Sequence, residues 1–268
     1  MNPSPDHSIG DMLRETAHRL FQTHCDMATQ RAADQDVWPA ALWVAIEEAA
    51  LNRALVPEEA GGFGVDITDA LSLLRVAGAH ALPVPLAETM LASRLLAEAG
   101  IPIPDGPLSI GPVRDGEIPE LTRTAGGWHL TGTVARIPWA RNADHLAVVA
   151  QHNGKPWLAL AAAKSTEPGE NIAREPRDTV RFDGPVIAAA PATITHPVLK
   201  ALGAAMRTQQ IAGALTRLTE VTTQYAQDRV QFGRPIGKFQ AVQQNLAVLA
   251  GQTAAAGADR LWAEITAA

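Results

Sequence analysis

The feature that most restricts this chain is a double change of periodicity. Apolar residues recur at helical spacing over residues 11–27, 37–51, 68–80 and 85–99, give way to short β-type runs between 108 and 187, and return to helical spacing from 199 onward. Three such blocks need helical layers on either side of a sheet in sequence, so the expected fold class is α+β and mostly helical. Gly100 suits a helix end, and Pro102, Pro104 and Pro107 impose extended backbone after it. The expected units are an N-terminal helical domain (1–103), a small antiparallel β domain (104–194) and a C-terminal helical domain (195–268). The last helical period starts at Phe239 and is still running at 265, so this third unit is expected to be a partial bundle.

Finer grammar fills in the blocks. Over 37–51, Trp38, Leu42, Ile46 and Ala49 or Ala50 share one helical face. The stretch from Val56 to Asp66 must loop tightly, because Pro57 disfavours helix before it and Gly61, Gly62 and Gly64 permit positive φ. Strands are expected over 108–113, 121–124, 128–138, 145–150, 157–163 and 180–187, punctuated by Gly126-Gly127, Asn142, Asn153-Gly154 and Asp183-Gly184. With 268 residues, 47% of them hydrophobic and 19% charged, the chain can bury a sizeable core, and neither disorder nor a membrane span is expected. A net charge of −6 without a basic cluster disfavours nucleic acid. The single cysteine, Cys25, and a polar start without a basic or apolar signal region point to a reduced, cytoplasmic protein.

The most informative segment runs from Tyr225 through Arg229, Phe232-Gly233, Ile236 and Phe239-Gln240. It reads as a helix end, a glycine-allowed turn and a new helix, with an arginine just before the break. That arginine can neutralise the partial negative charge of the helix C-terminus, or its guanidinium can bridge two oxygens of a phosphate. Spacing leaves both open. The pattern Tyr-x-x-x-Arg-x-x-Phe-Gly-x-x-Ile-x-x-Phe-Gln resembles the C-terminal signature of acyl-CoA dehydrogenases, flavoproteins built from a helical, a β and a second helical domain. The loop Pro57-Glu58-x-x-Gly61-Gly62-x-Gly64 resembles that family's first-domain loop, and Gly126-Gly127-Trp128-x-Leu130-x-Gly132-Thr133 its middle-domain strand.

The resemblance implies FAD as cofactor, an acyl-CoA thioester as substrate and α,β-desaturation as reaction. It implies a homo- or hetero-oligomer with another acyl-CoA dehydrogenase subunit, and an electron-transfer flavoprotein as acceptor. Arg229 and Phe232 match positions that hold the diphosphate and adenine side of an FAD seated mainly in a neighbouring subunit, and Phe239 with Gln240 match a second contact. The middle domain departs from the pattern. Residues 108–116 lack the threonine and glycine-rich turn that meet the flavin ring, and Arg136-Ile137-Pro138-Trp139 stands where the family has Trp-Ile-Thr. Thr166-Glu167-Pro168-Gly169-Glu170 repeats the letters of the missing loop but follows the 157–163 strand, where a turn explains it.

No catalytic base is assigned. The usual glutamate position of the family lies beyond Ala268, and the alternative position aligns with Gly203-Ala204. Glu220 reads as a solvated face residue. This middle domain resembles that of divergent subunits in heteromeric acyl-CoA dehydrogenases acting on steroid or other bulky acyl thioesters, which implies an alternative role as a catalytically silent partner that completes an FAD site. His18 with His24, and His145 with His152, lack metal-ligand spacing, so no metal is expected. Cys25 reads as a small apolar residue. Finally, the two C-terminal helices are expected to pair antiparallel and leave an apolar face open.

Overall fold

A computed structural model of the chain describes residues 9–163 and 165–257. Helix α1 (Ile9–His24) buries Leu13, Ala17 and Phe21, one residue per turn. Asp26 caps α2 (Met27–Ala33) by accepting from the Thr29 N–H at 2.8 Å. In α3 (Ala40–Glu48) Leu42 and Ile46 face the core as expected, but Trp43 joins them while Trp38, before the helix, is only half-buried and packs on Trp43. The loop after it is as tight as its glycines require. Gly61 and Gly64 sit at φ +84° and +57°, and a Cβ on Gly62 would lie 1.9 Å from the Val56 carbonyl. Helix α4 (Ile67–Ala79), capped by Asp66, and α5 (Leu86–Glu98) complete the first block.

Helix α5 is buried nearly all round, which makes it the central element. Its Thr89 hydroxyl accepts from the Leu108 N–H at 3.0 Å and donates back to the Leu108 carbonyl, pinning the first strand to the helix. The strands are β1 (Leu108–Gly111), β2 (Glu120–Thr124), β3 (Gly127–Pro138), β4 (His145–His152), β5 (Lys155–Ala162), β6 (Ser165–Glu167), β7 (Arg177–Pro185) and β8 (Ala188–Pro191). They form one sheet in the order β6-β7-β3-β2-β4-β5-β8, with β1 paired to β4. The sheet is antiparallel except for the β1–β4 ladder and a single β2–β4 bridge, which are parallel. Asn153 and Gly154, both at positive φ, make the expected β4–β5 hairpin. Asp183-Gly184 is not a turn: it lies inside β7, paired with Thr131 and Leu130.

Along β4, Ala147 and Val149 join the helical core while Leu146, Val148 and Ala150 face a second core with Leu130, Val134 and Phe182. The period of two therefore divides one sheet between two cores. Helix α6 (His196–Asp228) runs 33 residues, roughly 50 Å, from the sheet across the first helical block. It crosses α4 with almost no space between backbones. A Cβ on Gly78 would lie 1.9 Å from the Gln210 carbonyl, and one on Gly213 1.8 Å from that of Arg75. A two-stranded hairpin, β9 (Val230–Gln231) and β10 (Arg234–Pro235), then turns the chain into α7 (Gln240–Ala256). Residues 258–265 of the expected last helix lie outside the described residues.

Helices α6 and α7 lie antiparallel, with the Thr219 and Thr253 hydroxyls 2.8 Å apart. As expected, Leu218, Val221, Tyr225 and Val248 are exposed among the described residues. Among those residues no helix is long and apolar enough to cross a membrane.

Candidate functional site

A cavity of about 330 Å³ opens where α5, α6 and the sheet meet. Helix α5 contributes Glu88 and Leu91; β1 and the residues after it contribute Ile110, Pro112 and Arg114; β3 contributes Arg136 and Pro138; α6 contributes Gly203, Ala204 and Arg207. Three places where the family pattern was lost or in question, 108–116, 136–139 and 203–204, thus line one cavity. Their lining residues are up to 94 positions apart in sequence, from Ile110 to Ala204, and the sheet and α6 bring them together.

The cavity wall carries charge. Arg207 pairs with Glu88 and, at 3.0 Å, with Glu175, which also takes Arg177 at 2.6 Å. Glu88 is buried and Arg207 less than one-third exposed, so these are ion pairs with much of their solvation removed. Burial works against the charge of Arg207, but Glu88 and Glu175 outweigh it and hold its pKa above the usual range. Arg177 goes the other way: burial, with Arg207 and Arg136 adding like charge, pulls its pKa down despite Glu175. Arg177 and Arg207 also belong to the wall of a second cavity of about 550 Å³, lined by Trp38, Leu82 and Trp139, so the ion pairs separate the two spaces.

The β-domain side offers few donors for a flavin ring. Pro138 has no N–H, its carbonyl accepts from the buried Ser109 hydroxyl, and the Trp139 N–H is spent on the Pro176 carbonyl at 3.0 Å. Gly169 does not form a flavin loop either. Its N–H donates to the buried Asp178 carboxylate, which Arg141 grips through its backbone N–H and guanidinium, fixing this corner of the sheet. The look-alike segment 166–170 is not the simple turn expected: Thr166 and Glu167 belong to strand β6, paired with β7, and Glu170 bridges Pro176.

Arg229, Phe232, Phe239 and Gln240 come together elsewhere, in the hairpin between α6 and α7. Arg229 ends α6 in extended backbone and is exposed, with no side-chain hydrogen bond or ion pair to any described residue. Its own N–H closes on the Tyr225 carbonyl, and its carbonyl accepts from Ile236 at 2.8 Å. Phe232, at φ +52° and 92% exposed, meets Phe239 edge to face at 6.1 Å. Arg234 lies over the Phe239 ring at 4.2 Å. Gln240 opens α7, whose first N–H groups have no side-chain cap. Residues 229–240 contain Arg229, Arg234 and Lys238 and no acid. Cations, two aromatic faces and open helix N–H groups are what a nucleotide diphosphate requires, so the residues fit the diphosphate and adenine side of FAD.

Of the remaining candidates, Glu220 is exposed and pairs with Arg217 one turn away, as a face residue would. Cys25 is buried against the His80 carbonyl, and burial pushes its thiol pKa up. What sequence reasoning missed is the Glu88–Arg207–Glu175–Arg177 group, whose members carry no local signal.

Comparison with known proteins gives matches to the acyl-CoA dehydrogenase N-terminal domain over residues 10–102 and to the acyl-CoA dehydrogenase C-terminal domain over 201–268. The acyl-CoA dehydrogenase IpdE2 of Mycobacterium tuberculosis is 31% identical over 259 residues, covering 92% of this chain and 73% of the relative. FadE27 of the same organism, also an acyl-CoA dehydrogenase, is 29% identical over 77% of this chain and 61% of its own length. Among solved structures, the Tcur3481-Tcur3483 steroid ACAD superposes with a TM-score of 0.75 at 27% identity, over 93% of this chain and 79% of that one. The ChsE4-ChsE5 complex from Mycobacterium tuberculosis shares the fold with a TM-score of 0.77 at 24% identity, over 96% and 78%. Two domain matches in the expected order, and a relative this similar along nearly the whole chain, establish that the chain belongs to the acyl-CoA dehydrogenase family.

Proposed function

We propose that this chain is a subunit of an FAD-dependent acyl-CoA dehydrogenase assembly acting on a bulky, steroid-type acyl-CoA thioester, and that its 229–240 hairpin holds the FAD diphosphate across an interface with a neighbouring subunit. The observation that carries this is the hairpin itself: an exposed Arg229 free of any described partner, beside paired aromatic rings and an uncapped helix start. Arg229 would bridge diphosphate oxygens, Phe232 and Phe239 would flank the adenine, and Gln240 would add a polar contact at the α7 N-terminus. When bound, FAD supplies a hydride acceptor for the β carbon of the thioester. An electron-transfer flavoprotein is the proposed onward acceptor. The similarity to IpdE2 and to a steroid ACAD supports the substrate class, and the likeness to the ChsE4-ChsE5 complex supports a heteromeric assembly. Along the chain we propose 1–103, 104–194 and 195–268 as its three domains, and a cytoplasmic setting in which the free thiol of Cys25 stays reduced.

A second reading is favoured by the cavity. Proton abstraction α to a thioester needs a carboxylate free to accept the proton, whereas Glu88 is tied to Arg207 and Gly203-Ala204 offers none. On that reading the subunit is silent in its own cavity and completes the FAD site of its partner. Coexpression with the neighbouring dehydrogenase subunit tests both. If the hairpin holds FAD, the complex is yellow and its Arg229→Ala variant elutes from gel filtration with its flavin absorbance lost but its subunits still associated. Unchanged flavin in the variant returns Arg229 to the role of a helix-end charge. Activity that survives replacement of every carboxylate in the partner's pocket would defeat the silent reading.

A further inference from the structure

Two histidines 62 positions apart in sequence meet on the outside of the first helical block. His18, exposed on α1, brings its Nδ1 within 3.2 Å of the Nε2 of His80, which caps the end of α4, and the rings stand edge to face at 5.1 Å. Spacing along the chain hid the pair, because the packing of α1 against α4 joins it and no local motif does. Two nitrogens bound to one tetrahedral zinc at about 2.0–2.1 Å lie roughly 3.4 Å apart. The observed separation is close to that, so an ion fits in place of the proton the rings share after a small turn of each ring.

The surroundings favour this. Gln22, one turn after His18, lies 3.0 Å from the outer nitrogen of the His18 ring, Nε2. With its amide turned over, its carbonyl accepts the Nε2–H and fixes the tautomer that leaves Nδ1 free to ligate. His80 is held by packing on Phe21 and by its own carbonyl, which accepts from the Gln30 side chain at 2.7 Å. Burial first, then His18 and Arg217, keeps its pKa below the ordinary 6.5, so the ring is neutral at physiological pH, the form a metal needs. Arg217 is itself paired with Glu220. Among the described residues no third histidine, cysteine or carboxylate forms a group with these two, so water completes the shell.

We propose that His18 and His80 form a surface site for a divalent transition ion, held by two imidazole nitrogens and water, which ties α1 to α4. Imidazole suits Cu²⁺ first and then Zn²⁺ or Ni²⁺, whereas Mg²⁺ and Ca²⁺ require oxygen ligands. The site shares no residue with either cavity or with the 229–240 hairpin, so it stands or falls apart from the flavin reading.

Calorimetric titration of the full chain, stripped with EDTA and free of any affinity tag, with copper(II), zinc(II) and magnesium chlorides at about pH 7.5 tests it. Cu²⁺ should bind more tightly than Zn²⁺, and Mg²⁺ should not register. His18→Gln and His80→Gln should each weaken Zn²⁺ binding by at least about tenfold, and Gln22→Leu by about tenfold, the lower end of what an outer partner is worth. His24→Gln, also on α1, should leave it unchanged. Because His18 is exposed, its variant keeps the fold, and saturating Zn²⁺ should raise the urea midpoint of the wild type but not of His18→Gln. Zn²⁺ affinity unchanged by either substitution at His18 or His80 would overturn the proposal, as would Mg²⁺ binding as tightly as Zn²⁺ or an equal loss in His24→Gln. A urea midpoint that does not move with Zn²⁺ bound would overturn the tie between α1 and α4.

Discussion

The cavity beside α5 and the hairpin after α6 are both rich in arginine, yet their charges are used differently. In the cavity, Arg207 and Arg177 are drawn into shared pairs with Glu88 and Glu175, because a charge removed from water must find a partner or destabilise the fold. In the hairpin, Arg229 stays solvated and unpaired among the described residues at no comparable cost. The difference teaches that the two regions answer to different demands. Arg207 and Arg177 of the cavity are part of the packing, whereas Arg229 of the hairpin is available to something that is not this chain.

The largest effect that would sharpen this contrast is on stability. Arg207→Met leaves Glu88 buried without its partner and should cost about 3 kcal/mol in urea unfolding, the lower end for a broken buried pair because Arg207 is partly exposed. The double variant Glu88→Leu with Arg207→Met should recover most of that loss. Arg229→Ala should shift stability by no more than about 0.5 kcal/mol. Equal losses at Arg207 and Arg229 would erase the distinction between the regions.

Next in size is the ligand contact of the hairpin. Arg229→Lys keeps the charge but loses the two-pronged geometry, so flavin affinity of the complex should fall by less than the tenfold or more, about 1.5–3 kcal/mol, expected of Arg229→Ala. Raising salt should weaken the wild-type contact, since it lies at the surface. Identical affinities for the alanine and lysine variants would show that charge plays no part.

A smaller effect involves His80, which packs against His18 and Phe21 of α1 and feels the charge of Arg217 on α6. Burial first, then His18 and Arg217, holds its pKa below the ordinary 6.5. The folded state therefore prefers the neutral ring. Its contribution to stability is intact above 6.5 and is lost as the pH falls through 6.5 toward the folded-state value. Urea midpoints between about pH 7.5 and about pH 5.5 should fall, and His80→Gln should flatten that slope. The smallest effect is expected at Glu220. Its exposed pair with Arg217 makes Glu220→Gln neutral within about 0.5 kcal/mol, with acceptor reduction by the complex unchanged.

Much of this architecture is legible in the sequence because local chemistry dictates it. The helical periods, the Asn153-Gly154 hairpin and the 57–64 glycine loop each depend on residues a few positions apart. Strand β8 escapes because Ala188, Ala189 and Ala190 carry no β signature and are strand only through their ladder with β5. The parallel β1–β4 ladder escapes because its partners are 37 residues apart, with β2 and β3 between them. The hairpin site was readable as one contiguous motif. The cavity was not, since Glu88 and Arg207 are separated by 119 positions and meet only once α6 crosses α5. Its forewarning was negative, the departures at 108–116, 136–139 and 203–204, and these gave no hint that they would converge on one space.

The central claim is that flavin is held through the 229–240 hairpin and not through this chain's own cavity. It is tested most directly by the flavin absorbance, per complex, of two variants coexpressed with the partner subunit: Arg229→Ala, which alters only the hairpin, and Gly203→Phe, which fills only the cavity. The account predicts that Arg229→Ala emerges from gel filtration depleted of flavin while Gly203→Phe keeps the wild-type amount. Flavin retained by Arg229→Ala and lost from Gly203→Phe would contradict it.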